Sequence, residues 1–328
     1  NGYKSLGNSI MYIKGDDVVI LGCTCENSRY EHCIRWGPSC RTLVAYCDLQ
    51  NMQFDSTKAP WNMLDTADTV KTVLDIQQGF HHYVYKNKLT CYLSRPMTAG
   101  TVQIGPLNEA TGHVNEYVKY IVMDSNVITE ASMDLQPGAS EIMIRNNIIT
   151  KSGGYCFELW ADNNDLDILG RSYSSRTLEK VYIYNNTCFN NSATGQLLRI
   201  KDKITDLNVK NNIFIAPSLA VSGSGTSAHA AVMLGDTDTS ASYISRNVFP
   251  LNAFNINGSI ENVTAFNART NISNNVVQST QVDANYRVKS TNSAATLGTQ
   301  LAGLFDDYYG IARPSVGAII CGATEGTY

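Results

Sequence analysis

Charge is scarce in this chain. Only 16% of its 328 residues are Asp, Glu, Lys or Arg, and the formal net charge is −4. No basic stripe runs along it, which argues against nucleic acid as a partner. Long apolar runs are also missing: none reaches the roughly 18 residues that a membrane-spanning helix requires. No Cys-x-x-Cys pair occurs, which removes a common zinc signature. A Gly-rich phosphate loop, a Gly-x-Ser-x-Gly elbow and a His-Glu-x-x-His helix are lacking too. Nucleotide enzymes, α/β-hydrolases and zincins are therefore not indicated.

What the chain does have is a repeated phrase. Ile142–Thr150 reads IMIRNNIIT, a short strand followed by a corner. The phrase returns as VYIYNNTCF at Val181–Phe189, LNVKNNIFI at Leu207–Ile215 and NISNNVVQ at Asn271–Gln278. Looser copies lie at Tyr83–Thr90, Tyr120–Ile128 and Tyr243–Phe249. Strand-plus-turn units recurring at such periods are the mark of a solenoid. Aligning them places Cys23, Asp48, Asn87, Asn126, Asn147, Asn186, Asn212, Asn247 and Asn275 at one corner. Asn suits a corner because it tolerates left-handed backbone and its amide can bond the next turn. Stacked at about 4.8 Å, such side chains form an asparagine ladder. The fold expected is all-β: a single-stranded right-handed parallel β-helix, one domain over 1–328, with rungs over about 10–280. Periodicity fades after Ser290, so about 290–328 is expected to cap or pack against the solenoid, whose open edge otherwise invites aggregation.

A second strand phrase follows each corner: CIRWG at Cys33–Gly37, VLDIQQG at Val73–Gly79, TVQIG at Thr101–Gly105, SMDLQPG at Ser132–Gly138, CFELW at Cys156–Trp160 and LLRIK at Leu197–Lys201. Alternation puts Ile34/Trp36, Leu74/Ile76, Val102/Ile104, Met133/Leu135, Phe157/Leu159 and Leu198/Ile200 inward. The residues between them face water and form a column: Arg35, Asp75, Gln103, Asp134, Glu158 and Arg199. Gln77, Gln136, Trp160 and Lys201 form a parallel column.

Nine cysteines is an odd number, so at least one is unpaired within the chain. Cys25 and Cys47 are spaced by about one turn and are a candidate disulfide; the other reading is that buried Cys serves as a small hydrophobe. Five Asn-x-Ser/Thr sequons, at Asn185, Asn190, Asn257, Asn262 and Asn271, follow from an Asn-rich repeat and mean glycosylation only in a eukaryotic source.

The rungs, together with the D-x-x-G-x-x-R-P-x-x-G-A close at Asp307–Ala318, resemble the right-handed parallel β-helix superfamily of secreted carbohydrate-active proteins. The opening at Glu26–Leu49 is similar in style to the first turns of bacterial polysaccharide lyases. The resemblance implies a secreted or cell-surface protein with a polysaccharide partner. No complete catalytic motif of a lyase family is present, so no catalytic residue is carried over. The start at Asn1, without an initiator Met or a basic-plus-apolar leader, fits a removed signal peptide.

The column supplies the candidate chemistry. Asp134 and Glu158 are expected on adjacent turns, an unfavourable like-charge pair unless a proton or a cation is shared. Two readings stay open. A Ca²⁺ ion sits between Asp134 and Glu158 as metal ligands, or one carboxyl is a general acid and the other a base. Arg199 and Lys201 would neutralise a substrate uronate, and a Lys of depressed pKa or a Tyr would abstract the proton in β-elimination. Asp134, Glu158, Arg199 and Lys201 are thus the catalytic candidates. Arg35, Asp75, Gln103, Tyr155, Trp160 and His113 are the substrate-binding candidates, His113 as a lid residue in a loop. Cross-rung ion pairs of purely structural purpose remain the competing account. One of His81 and His82 must point inward, and His32, beside Arg35, is a further catalytic candidate. The function expected is cleavage of an acidic glycan, by lyase chemistry ahead of hydrolysis. The alternative is a non-catalytic glycan-binding, adhesin-like or tail-spike-like fibre protein.

Overall fold

A computed structural model describes residues 9–28, 32–51, 72–91, 100–105, 118–151, 154–160, 177–201, 204–236, 238–315 and 317–325. Its strands fall into three large, mostly parallel sheets, and each sheet takes every third strand of the chain. This is compatible with a parallel β-helix. The first sheet contains Ser9–Ile13, His32–Trp36, Thr72–Ile76, Gly100–Ile104, Ala131–Leu135, Phe157–Leu159, Gln196–Ile200, Ala230–Leu234 and Phe254–Ile256, closed by antiparallel Ser259–Glu261. The second runs from Val19–Leu21 through Cys40–Ala45, Gly79–Tyr85, Val118–Asp124, Ala139–Arg145 and Glu179–Tyr184 to Ile272–Ser273. The third runs from Thr24–Ser28 through Asp48–Asn51, Lys88–Thr90, Val127–Thr129 and Ile148–Lys151 to Val276–Val277.

Alternation sets the core. Ile34, Trp36, Leu74, Ile76, Val102, Ile104, Met133, Leu135, Phe157, Leu159 and Leu198 are all fully buried, and Ile200 nearly so. They meet Val84, Ile121, Ile142 and Val181 from the second sheet and Leu49, Leu89, Ile128 and Ile149 from the third in one continuous cluster. Parallel strands joined through short corners can only bury such rows by stacking on themselves. Towards the C-terminal end the interior becomes aromatic: Phe214 stacks on Phe249, and Phe254 stacks on Phe266 with ring centroids 4.3 Å apart. Phe266 belongs to the short helix Val263–Asn267, which is N-capped by Asn262.

The corner between the second and third sheets holds a chain of amide bonds. Asn126 donates from both its backbone N and Nδ2 to Asn147 Oδ1, and Asn147 does the same to Asn186 Oδ1. The pattern continues through Asn212 and Asn247 to Asn275, which donates to Asn267 Oδ1. Each Nδ2 also reaches a carbonyl of the preceding turn, as Asn147 does to Met123 O. The left-handed residue is not this Asn. It is the one before it: Lys86, Ser125, Asn146, Asn185, Asn211, Arg246 and Asn274 have φ between 51° and 58°. The corner is also shifted by one residue near the start. Cys47, not Asp48, takes the place in line, since the Cys47 backbone N donates to Asn87 Oδ1 while Asp48 pairs with Lys88.

All nine cysteines are free thiols, and Cys25 pairs in register with Leu49 rather than facing Cys47. Asn185 and Asn190 are buried, so those two sequons are closed to modification in the folded chain. The segment expected to cap or pack against the solenoid lies against strands of the second sheet and their corner. It runs back along the corner: Arg246 Nη1 donates to Leu297 O, Asn211 Nδ2 to Thr299 O, Arg145 Nη1 to Gly303 O and Asn146 Nδ2 to Asp306 O. It then reverses, and the Gly322 N donates to Asn211 O. Arg313 anchors the reversal. It is buried and paired with Glu325, and it donates to Asn146 Oδ1 and to the carbonyls of Asp306, Ile320 and Gly322. The Asp307 carboxylate accepts from the backbone N of Tyr309, Ile311 and Glu325. These bonds are what the D-x-x-G-x-x-R-P phrase encodes.

Candidate functional site

The outward column lies on the first sheet in unbroken register. Arg35 pairs with Asp75, Asp75 with Gln103, Gln103 with Asp134, Asp134 with Glu158 and Glu158 with Arg199. Successive members are therefore one strand spacing apart, about 4.8 Å along the hydrogen-bonding direction. The parallel column two residues on is in line as well: the backbone N of Gln136, Trp160 and Lys201 donates to Ile104 O, Leu135 O and Leu159 O in turn.

Charge divides this column into two centres. In the first, Asp75 is wholly buried rather than facing water, because side chains close over it. His32 Nε2 lies 3.4 Å and Arg35 Nε 3.6 Å from Asp75 Oδ2. Arg35 Nε also donates to Gln77 Oε1 at 2.7 Å. Gln103, nearly buried, separates this group from the second centre.

The second centre is built on Asp134, Glu158, Arg199 and Lys201. Glu158 Oε1 lies 3.1 Å from both Arg199 Nη1 and Lys201 Nζ. Among the described residues no cation forms an ion pair with Asp134; its Oδ1 accepts from Gln136 Nε2 at 2.9 Å. Burial first, and then the Glu158 carboxylate alongside, push the Asp134 carboxyl up to about 7, against the pull of Gln136, Lys201 and Trp160. The like-charge conflict between neighbouring carboxylates is thus resolved unequally: Glu158 is matched by two cations and Asp134 tends to hold a proton. Burial draws the Lys201 ammonium below its ordinary range, with Glu158 opposing.

Aromatic rings frame the group. The Arg199 guanidinium lies 4.8 Å over the Tyr155 ring and donates to its hydroxyl, and the Lys201 ammonium sits over Trp160. Such contacts favour cations on ring faces. Burial raises the Tyr155 hydroxyl, with Arg199 opposing, which favours its protonated form. Behind the strand lies a residue that alternation did not single out. Lys151, at the end of Ile148–Lys151, is buried, and burial lowers its ammonium despite the acidic Glu130 and Glu158 nearby. The only sequence signal for it was a Lys at an inward position of a rung.

His113 lies outside the described residues. His82 is the inward member of its pair: its Nδ1 meets Thr42 Oγ1 at 2.8 Å and its Nε2 meets Gln78 O at 3.1 Å. His81 is exposed and stacks on Tyr120. The donors at Asp134 and Glu158 do not make a resident Ca²⁺ cage. Two carboxylates fall short of the six to eight oxygens such an ion takes, and Glu158 Oε1 is already matched by Arg199 and Lys201. Among the described residues there is no cluster of three or more His, Cys, Asp or Glu suited to a metal. No helix among the described residues is long and apolar enough to cross a membrane. No protein-family model and no curated protein matches this chain.

Proposed function

We propose that the chain winds as one right-handed parallel β-helix domain with an asparagine ladder, and that its first sheet is the cleft of a secreted enzyme cleaving an acidic polysaccharide by β-elimination. The observation that carries this reading is the unequal pair at its centre: a carboxyl held near neutrality at Asp134 beside a Glu158 matched by Arg199 and Lys201. β-Elimination from a uronate needs three things, and this group offers each. Arg199 neutralises the substrate carboxyl, which acidifies the adjacent C–H. Lys201, its ammonium weakened by burial, removes that proton once it has given up its own. The released electron pair forms a carbon–carbon double bond and expels the glycosidic oxygen, which takes the Asp134 proton. Tyr155 holds Arg199 in place. Arg35 and Gln103 extend the cleft along the stack, so that sites repeat as sugars do. A Ca²⁺ ion, if used, would enter with the substrate's own oxygens.

One observation favours a second reading, a non-catalytic glycan-binding or fibre module. Arg199 and Lys201 are already satisfied by Glu158, which is what structural cross-rung pairing also produces. Incubation with alginate, pectate and chondroitin, with and without Ca²⁺, separates the cases. The lyase reading expects new ultraviolet absorbance from an unsaturated product. New reducing ends without that absorbance would replace it with hydrolysis. Neither signal on any polymer would leave the binding reading.

A further inference from the structure

The corner that carries the amide chain changes chemistry at its N-terminal end. From Asn87 onward each place in line is an Asn; the two before it are Cys47 and Cys23. They are successive and in register. Thr24 pairs with Asp48, and the Asp48 backbone N donates to Cys23 O at 2.9 Å. Cys47 bonds as the Asn residues do. Its thiol donates to Ala45 O at 3.3 Å and lies 3.8 Å from Ile20 O, on the preceding strand of the second sheet, much as Asn247 Nδ2 donates to Ser245 O and Val209 O. The Cys23 thiol donates to Leu21 O at 3.5 Å. Where the later corners pass an amide bond from rung to rung, these two place thiol beside thiol.

Residues in register on adjacent strands stand about 4.8 Å apart, inside the Cα window of roughly 4.4–6.8 Å that a disulfide spans. We propose that Cys23 and Cys47 are a redox-responsive modification site, closing under oxidising conditions into a cross-rung disulfide that clips the first turn of the stack. The other thiols are placed against it. Cys25 is opposite Leu49 and Cys40 opposite Phe80. Cys33, Cys91, Cys156, Cys188 and Cys321 are fully buried, beyond the reach of a dissolved oxidant. Cys23 and Cys40 are the two partly exposed thiols, and of these it is Cys23 that has a cysteine, Cys47, in register beside it.

The oxidant is a small-molecule disulfide such as oxidised glutathione. The Cys23 thiolate attacks one of its sulfurs, forming a mixed disulfide and expelling one glutathione thiolate. The Cys47 thiolate then attacks Cys23 Sγ, forming the protein disulfide and expelling the second. Two protein thiols lose two protons and two electrons, and the reagent's sulfur–sulfur bond is reduced. Burial raises the Cys47 thiol, so the second step quickens in mildly alkaline buffer.

The test uses the full chain equilibrated with oxidised and reduced glutathione at stepped ratios, quenched by alkylation in denaturant and mapped by peptide mass. The expected result is loss of two of the nine thiols, a Cys23–Cys47 linked peptide, and a Tm that falls when reductant is added. The linkage should vanish in Cys23→Ser and Cys47→Ser and persist in Cys25→Ser. Nine alkylated thiols at the most oxidising ratio would overturn the proposal, as would a linkage mapped to any other pair. Cys23→Ser changes a half-exposed side chain, so its fold is checked against the parent by far-ultraviolet circular dichroism before mapping.

Discussion

Asp134 and Glu158 stand side by side on adjacent parallel strands, yet among the described residues only Glu158 has cations at contact distance. This asymmetry splits two chemically similar groups into a proton holder and a charge holder, and it can be read by titration. Burial and the Glu158 carboxylate push the Asp134 carboxyl up to about 7 from the ordinary 3.8. Its folded pKa is raised, so its contribution to stability is complete below pH 3.8 and is lost as pH climbs through about 7. Asp134→Asn removes that loss, and its Tm should decline less than the parent's between pH 5 and pH 8. If the cleft is catalytic, turnover should fall about 10²–10⁴-fold in this variant, as for other lost general acids. Parent activity should also drop above about pH 7, where Asp134 gives up its proton. Full turnover by Asp134→Asn would remove it from the mechanism.

His82 acts in the opposite direction. It is the end of a buried chain in which Trp36 Nε1 donates to Thr42 Oγ1 and Thr42 faces His82 Nδ1. Nε2 then carries the proton towards Gln78 O, so the neutral ring fits and the charged ring does not. Burial lowers its pKa to about 4 from the ordinary 6.5. Stability from this group is complete above pH 6.5 and is lost as pH falls through about 4. Their windows overlap between about pH 4 and pH 6.5, where the two slopes oppose each other and the summed contribution changes little. An NMR titration of the His82 ring should give a midpoint near 4; a midpoint near 6.5 would show an open, solvated ring.

Asn147 receives both donors of Asn126 and passes both of its own to Asn186, with a further bond to Met123 O. All of these atoms are buried, so removing the amide strands several partners at once. Asn147→Ala should cost about 3 kcal/mol or more, since each buried polar group left unsatisfied costs about 1–3 kcal/mol. Asp48→Ala, one residue past the corner, should cost far less. Equal denaturation midpoints for the two variants would mean that water replaces the amide without penalty.

How much of this was legible in the sequence follows from which forces leave a pattern. Burial of alternate residues leaves a period of two, so the strands and the inward pairs from Ile34/Trp36 to Leu198/Ile200 could be read directly. The outward register from Arg35 to Arg199 came with them, because parity fixes the face. The corner was misread by one residue at Asp48 because Cys47 bonds like an Asn without resembling one. The left-handed positions were misassigned because they fall on Lys86, Ser125 and Arg246 as readily as on Asn. The burial of Asp75 under His32 and Arg35 has no local signature: its partners come from another turn. The path of the C-terminal segment was illegible for a further reason. It docks largely through carbonyls, at Leu297, Thr299, Gly303 and Asp306, which every residue type possesses.

That docking depends on one buried charge pair. Arg313 and Glu325 face each other inside the returning segment, and Arg313 reaches through to Asn146 on the corner. Burial lowers the Arg313 guanidinium and raises the Glu325 carboxyl, each opposed by its partner, so the pair is held together against its own desolvation. Arg313→Ala leaves the Glu325 carboxyl buried without its cation and should cost about 3–5 kcal/mol. The double variant Arg313→Met with Glu325→Leu removes both charges and should recover much of that. Limited proteolysis locates the effect. In Arg313→Ala the cuts should concentrate between Leu297 and Glu325, while the rungs bearing Asn126 to Asn247 stay protected by bonds the segment does not supply. Cleavage spread evenly through the rungs would show instead that the segment and the stacked sheets unfold as one unit.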